Sequence, residues 1–287
     1  MLVRGRRPSG RRPPVRVTGI DPSEFMPMPS HPPSLDPAEL PRLQEALEGS
    51  DAAAVLGWAF GRFPQVTIVA SFQAESCVLI DLATRRVPSD RIRVVTLDTG
   101  RLPDETHDLI DRIRERYAIA VEVWLPDRAA IEQMVTASGP NLFRRSVELR
   151  RRCCEVRKQQ PLGRALAGAD AWVTGLRRDQ SPSRAGTPVI ELDAAHGGIA
   201  KLAPLVGWTS ADVDAYLDRH DVPRHALYAR GYTSIGCAPC TRPTTPGEDA
   251  RAGRWWWERG EPKECGLHPA HPARVAAAAA VAAETAA

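Results

Sequence analysis

The sequence predicts an α/β fold, a parallel twisted sheet covered by helices on both faces. Two observations carry that expectation. Four apolar, β-branched runs alternate with stretches of helical period, and three of the runs pass straight into short polar loops. Strand and helix alternating at this spacing call for right-handed crossovers between parallel neighbours. Ligands of such sheets sit at the carboxyl ends of the strands, where strand order reverses.

The elements follow in order. Residues 1–35 are rich in Pro, Arg, Gly and Ser without an apolar period, and read as a disordered leader. The first strand is Val66–Ala70, and the loop Ser71-Phe-Gln-Ala-Glu-Ser76 runs from it into a helix over Glu75–Arg85. A polar loop at a helix start presents free N–H groups to an anion. The second strand, Ile92–Leu97, leads through Asp98-Thr-Gly100 into a helix over Asp104–Tyr117. The third, Ile119–Trp124, precedes a helix over Ile131–Ala137. The fourth, Ala171–Thr174, opens into Gly175-Leu-Arg-Arg178 and on to Arg184. Three such loops on one sheet edge, the last with three arginines, point to a phosphorylated ligand. Residues 36–260 are expected to form the nucleotide-binding domain. Residues 261–272, interrupted by proline and glycine, read as a mobile C-terminal segment, and 273–287 as an Ala-rich tail.

Composition narrows the function. The chain has 287 residues, 43% of them hydrophobic and 25% charged, which is ordinary for a globular protein with a proper core. A net charge of +3 gives no argument for nucleic acid. No apolar run approaches the roughly 20 residues of a membrane span, and the basic N-terminus lacks the apolar segment of a secretory signal. A reducing, cytoplasmic location is expected, where cysteines serve as ligands or catalysts rather than in disulfides.

Five of the six cysteines lie in three places: the adjacent Cys153 and Cys154, the pair Cys237 and Cys240, and Cys265 alone. Cys77, at the start of an apolar helix, reads as a small buried hydrophobe. The two pairs supply the soft donors of a metal centre, either a structural zinc ion or an iron–sulfur cluster. Such a centre is anionic, so cations must separate it from an anionic ligand. The run Arg150-Arg-Arg-Cys-Cys-Glu-Val-Arg-Lys158 supplies them. Lys158, four residues after Cys154 and one of only three lysines, is the expected bridge. Cys265 reads as an accessible thiol with Arg251, Arg254 and His268 as the available cations.

Four segments, Cys153-Cys-Glu-Val-Arg-Lys158, Gly236-Cys-Ala-Pro-Cys-Thr-Arg242, Arg251-Ala-Gly-Arg-Trp-Trp-Trp257 and Glu264-Cys-Gly-Leu-His268, resemble the thioredoxin-dependent assimilatory adenylyl-sulfate (APS) reductases. The resemblance covers residues 50–270. It implies an adenine-nucleotide α-hydrolase-like fold, and a 4Fe–4S cluster, one per subunit, held by Cys153, Cys154, Cys237 and Cys240. It further implies a nucleophile at Cys265, and a phosphosulfate site of Ser71, Lys158, Arg184, Arg251, Arg254 and His268, with Leu97–Gly100 beside the adenosine. APS and thioredoxin are the implied partners. Gln73 stands where the family carries a smaller residue. A phosphoadenylyl-sulfate (PAPS) reductase would leave the paired cysteines without a use. A tRNA-thiolating relative would need an SGGxDS loop, which this chain lacks, and a zinc-stabilised binding module would leave Cys265 unexplained.

Overall fold

The computed structural model describes residues 35–258 together with 264, 266 and 267. A six-stranded sheet in the order β3-β2-β1-β4-β6-β5 is built from β1 (Val66–Val69), β2 (Arg93–Leu97), β3 (Val121–Trp124), β4 (Ala171–Val173), β5 (Ile190–Asp193) and β6 (Ile199–Leu202). All neighbours are parallel except β5 and β6. That antiparallel edge departs from the expected all-parallel sheet. Its cause is local: Asp193 caps the turn after β5, and Gly197 and Gly198, both at φ +76°, reverse the chain directly into β6.

The helices are α1 (Leu40–Leu47), α2 (Ala52–Arg62), α3 (Ala74–Thr84), α4 (Asp104–Tyr117), α5 (Arg128–Ser138), α6 (Val147–Cys154), α7 (Gln160–Ala165) and α8 (Ser210–Arg219). The four expected strands and three expected helices are present, with ends shifted by a few residues. The helix expected from Ile131 begins at Arg128, because the Asp127 carboxylate caps it by accepting from Ala130 N. No helix among the described residues is long and apolar enough to cross a membrane.

Side-chain alternation along the strands gives the sheet two apolar faces. Val66, Ile68, Ala171 and Val173 point into the main core, with α3 among the helices that pack there. Trp172, between two of them, points to the opposite face with Val69, Leu97 and Leu162 of α7. Chain order moves outward from β1 to β3 on one side, and the chain then crosses to β4 on the other side, where β5 forms the edge and β6 returns beside β4. The switch point therefore lies between the carboxyl ends of β1 and β4.

Between α6 and α7 the helix widens into one π turn over Glu155–Gln159. Pro161 explains it: proline has no N–H for the carbonyl four residues back, and its ring crowds that carbonyl. Cys154 and Lys158 are thus separated by a widened turn rather than by the regular helical spacing expected.

Close packing at the switch point depends on Gly175. A Cβ there would lie 2.7 Å from Glu75 Cβ, on the first turn of α3. Gly175→Ala is expected to destabilise the protein by about 1–3 kcal/mol, as overpacking does. Urea denaturation checks this, and an unchanged midpoint would show that the contact yields without cost.

Candidate active site

A cleft of about 220 Å³ opens at the carboxyl ends of β1, β2 and β4. Its floor is apolar, formed by Val69, Leu97, Leu162, Trp172 and Leu267. Its rim carries Ser71, Thr99, Lys158, Arg184, Arg251 and Arg254. Every described member of the expected substrate set, together with Leu97 and Thr99, therefore faces one cavity. Cys265 and His268 lie outside the described residues. Glu264 and Leu267, which bracket Cys265 in sequence, both reach residues of this cleft.

The loop after β1 turns at Phe72, which is buried with φ 55°. Ser71 Oγ lies 3.2 Å from Ser76 Oγ. Gln73 has a role that the sequence did not reveal. Its Oε1 accepts from Ile235 N at 2.8 Å and its Nε2 donates to Ser71 Oγ at 3.4 Å, tying this loop to the segment before Cys237. Tyr228 is a second unforeseen member. Its hydroxyl accepts from Ala74 N at the start of α3, and burial pushes its pKa up, so the phenol stays neutral.

The arginine count after β4 overstated the cations available to a ligand. Arg177 is buried and donates to Glu75, Asp179, Ser210 and the Trp208 carbonyl. Arg178 forms a bidentate pair with Glu48, at 2.7 and 2.9 Å. Arg177 and Arg184 both line the cleft, and Arg184 meets the Glu264 carboxylate there.

Beside the cleft is a second, smaller cavity lined by Cys153, Cys154, Cys237 and Cys240. The first two end α6, and the others flank a 3₁₀ turn whose Cys240 N donates to the Cys237 carbonyl. Arg101, Arg150, Arg157, Lys158, Arg254 and Trp255 complete the lining. Lys158, Arg254 and Trp255 also line the larger cleft, so they form a common wall. Lys158, in the π turn, therefore lies between the two cavities.

The surroundings of this cavity act on its thiols in opposite directions. Burial opposes ionisation of Cys237, but Lys158, the Thr99 hydroxyl 3.3 Å from its Sγ, Arg254 and Arg157 together hold the thiol below its ordinary pKa. Burial pushes Cys153 up, and Cys240 up to about 12. Arg157 Nε, Arg254 Nε and Trp255 Nε1 are buried without a hydrogen-bond partner. Four soft donors, surrounding cations and orphaned N–H groups fit an anionic, sulfur-ligated metal group. Among the described residues no group of three or more His, Cys, Asp or Glu could hold a single metal ion. Cys77 is apart from this, fully buried with its pKa pushed up to about 12 by burial and by Glu75.

The arginine run before the cysteines is not a solvated face throughout. Arg150 is 1% exposed and pairs through both nitrogens with Glu258, at 3.0 and 2.9 Å. Its guanidinium also stacks over Trp255, 4.6 Å from the ring centre. Gly236 lies against the Arg254 guanidinium so closely that any Cβ there would collide with it.

A mostly parallel sheet flanked by helices, with a cleft at its switch point, resembles the adenine-nucleotide α-hydrolase fold. Within that class, the phosphoadenosine phosphosulfate reductase domain family matches residues 65–243, and the chain belongs to that family. It is 49% identical to adenosine 5′-phosphosulfate reductase of Burkholderia cepacia over 229 residues, 79% of this chain and 89% of that protein. It is 46% identical to the enzyme of the same name from Allochromatium vinosum over 237 residues, 82% of this chain and 89% of that one. Among solved structures, phosphoadenylyl-sulfate reductase from Candida auris, in a phosphate complex, superposes with a TM-score of 0.63 at 27% identity. That match covers 72% of this chain and 98% of the other.

Breaking the Arg150–Glu258 pair leaves a carboxylate buried beside the cysteine cavity. Arg150→Ala is expected to cost about 3–5 kcal/mol, as loss of one partner of a buried pair does. Thermal unfolding of both proteins measures this, and a loss within error would mean that Glu258 reaches water when released.

Proposed function

We propose that this protein reduces adenosine 5′-phosphosulfate to sulfite and AMP with thioredoxin as electron donor. The observation that carries the reading is the common wall of Lys158, Arg254 and Trp255 between the nucleotide cleft and the four-cysteine cavity. A site for PAPS alone gives those cysteines no use. The relatives named adenosine 5′-phosphosulfate reductase support the same substrate.

The apolar floor suits an adenine, and Ser71 at the mouth of α3 suits its phosphate. Arg184, Arg251, Arg254 and Lys158 surround the position left for the phosphosulfate, with His268 completing the proposed set. The Cys265 thiolate attacks the sulfonate sulfur, the S–O bond to AMP breaks, and AMP leaves with the electron pair. A thioredoxin thiolate then attacks Cys265 Sγ and expels sulfite. The second thioredoxin thiol resolves the mixed disulfide, so two thiols supply both electrons. Cys153, Cys154, Cys237 and Cys240 would hold a 4Fe–4S cluster, since they supply the four soft thiolate donors that such a group takes. When bound, the cluster supplies negative charge that fixes the cations of the common wall. The reaction belongs in the reducing cytoplasm, where thioredoxin is kept as the dithiol.

Two experiments test this. Anaerobically purified protein is expected to be brown, with about four iron and four acid-labile sulfide per chain. Serine at any of the four cysteines should remove both, whereas stoichiometric zinc in a colourless, active protein would refute the cluster. With APS and no thioredoxin, mass spectrometry should find one sulfonate on the Cys265 peptide, and reduced thioredoxin should remove it. A full equivalent of sulfite released by APS alone, with Cys265 unmodified, would refute the thiosulfonate route.

A further inference from the structure

We infer that Glu264 is a specificity-determining residue: its carboxylate holds Arg184 and Arg251, so only a ligand whose anionic group displaces it gains these arginines. The inference rests on the proposed nucleotide site and goes beyond it, since Glu264 is not among the groups assigned to substrate.

The carboxylate is seated as a ligand would be. Oε1 accepts from Arg184 Nε at 3.0 Å and Oε2 from its terminal nitrogen at 2.8 Å, a bidentate pair. Oε2 also accepts from Arg251 at 3.3 Å, and Oε1 from Ser183 Oγ at 3.3 Å. The Glu264 carbonyl accepts from Arg150 at 2.7 Å, which anchors the backbone. The side chain is 21% exposed, against 10% and 13% for the two arginines, so the group is largely removed from water. Desolvation opposes ionisation, but Arg184 and Arg251 outweigh it and hold the carboxyl below its ordinary pKa. The remaining Arg184 terminal nitrogen donates to Gln180 Oε1.

A guanidinium fork presents the same two N–H groups to a carboxylate and to a phosphate or sulfate. Two anions cannot both hold Arg184 Nε and its paired nitrogen. The apparent affinity of a substrate anion is therefore reduced by the fraction of molecules in which Glu264 occupies the arginines. A neutral adenosine ligand, settled on the apolar floor, does not contend with Glu264. The competition also favours departure of AMP, because Glu264 can retake the arginines once the sulfonate has been transferred.

The test compares AMP and adenosine binding to the full-length wild type and to Glu264→Gln by calorimetry. Glu264→Gln should bind AMP roughly five- to tenfold more tightly, within the range of ordinary coupling between sites. Adenosine affinity should be the same in both proteins. If the variant loses stability, ligand-induced stabilisation still reports affinity, and Glu264→Ala provides a second reading by the same method. AMP affinity unchanged or weakened in both variants, while the wild type binds AMP, would overturn the competition alone. Absence of AMP binding by the wild type would overturn the nucleotide site as well.

Discussion

Buried positive charge is the constraint on which the site depends. Arg150, Arg157 and Arg254 are each at most 8% exposed, yet only Arg150 is paired with a carboxylate among the described residues. Arg157 and Arg254 donate instead to the Thr99 and Ile235 carbonyls, which leaves their charge without a carboxylate partner among those residues and favours anions beside them. Under the proposed function, a sulfur-ligated group on one side of the common wall and a phosphosulfate on the other would be those anions. The orphaned N–H groups of Arg157, Arg254 and Trp255 are consistent with the same demand.

The backbone around the wall is shaped to allow such crowding. Gly236 gives Arg254 room to lie against the main chain and donate to the Ile235 carbonyl at 3.1 Å. Trp255 adopts φ 40°, uncommon for a non-glycine residue, with arginines stacked at 4.6 and 4.8 Å from its ring centre. The π turn before α7 sets Lys158 between the two cavities. Gln73 then couples the loop after β1 to this wall through Ile235. Ile235 in turn accepts from Arg254 through its carbonyl, so a short run of hydrogen bonds links the loop after β1 to the wall.

The arginines of the cleft divide into two kinds that look the same in sequence. Arg177 and Arg178 are consumed by carboxylates of the scaffold, Glu75, Asp179 and Glu48. Arg184 and Arg251 are held by Glu264, a carboxylate one position before the proposed nucleophile. The first kind builds the loop after β4, and the second sets what an incoming anion must displace.

Much of this protein was determined by the sequence alone. The strands around the switch point, the loops at their ends and the two cysteine pairs follow from short-range period and motif chemistry, which need no tertiary knowledge. Gly-Gly at 197–198 is a local signal for the antiparallel edge, and Pro161 for the widened helix. Tertiary structure decided which charges meet. Glu264 finds Arg184 across 80 residues, Arg150 finds Glu258 across 108, and Gln73 finds Ile235 across 162. A sequence shows how many cations a chain carries, but only folding decides which of them its own carboxylates neutralise, because that pairing depends on distance in space and on exclusion of water.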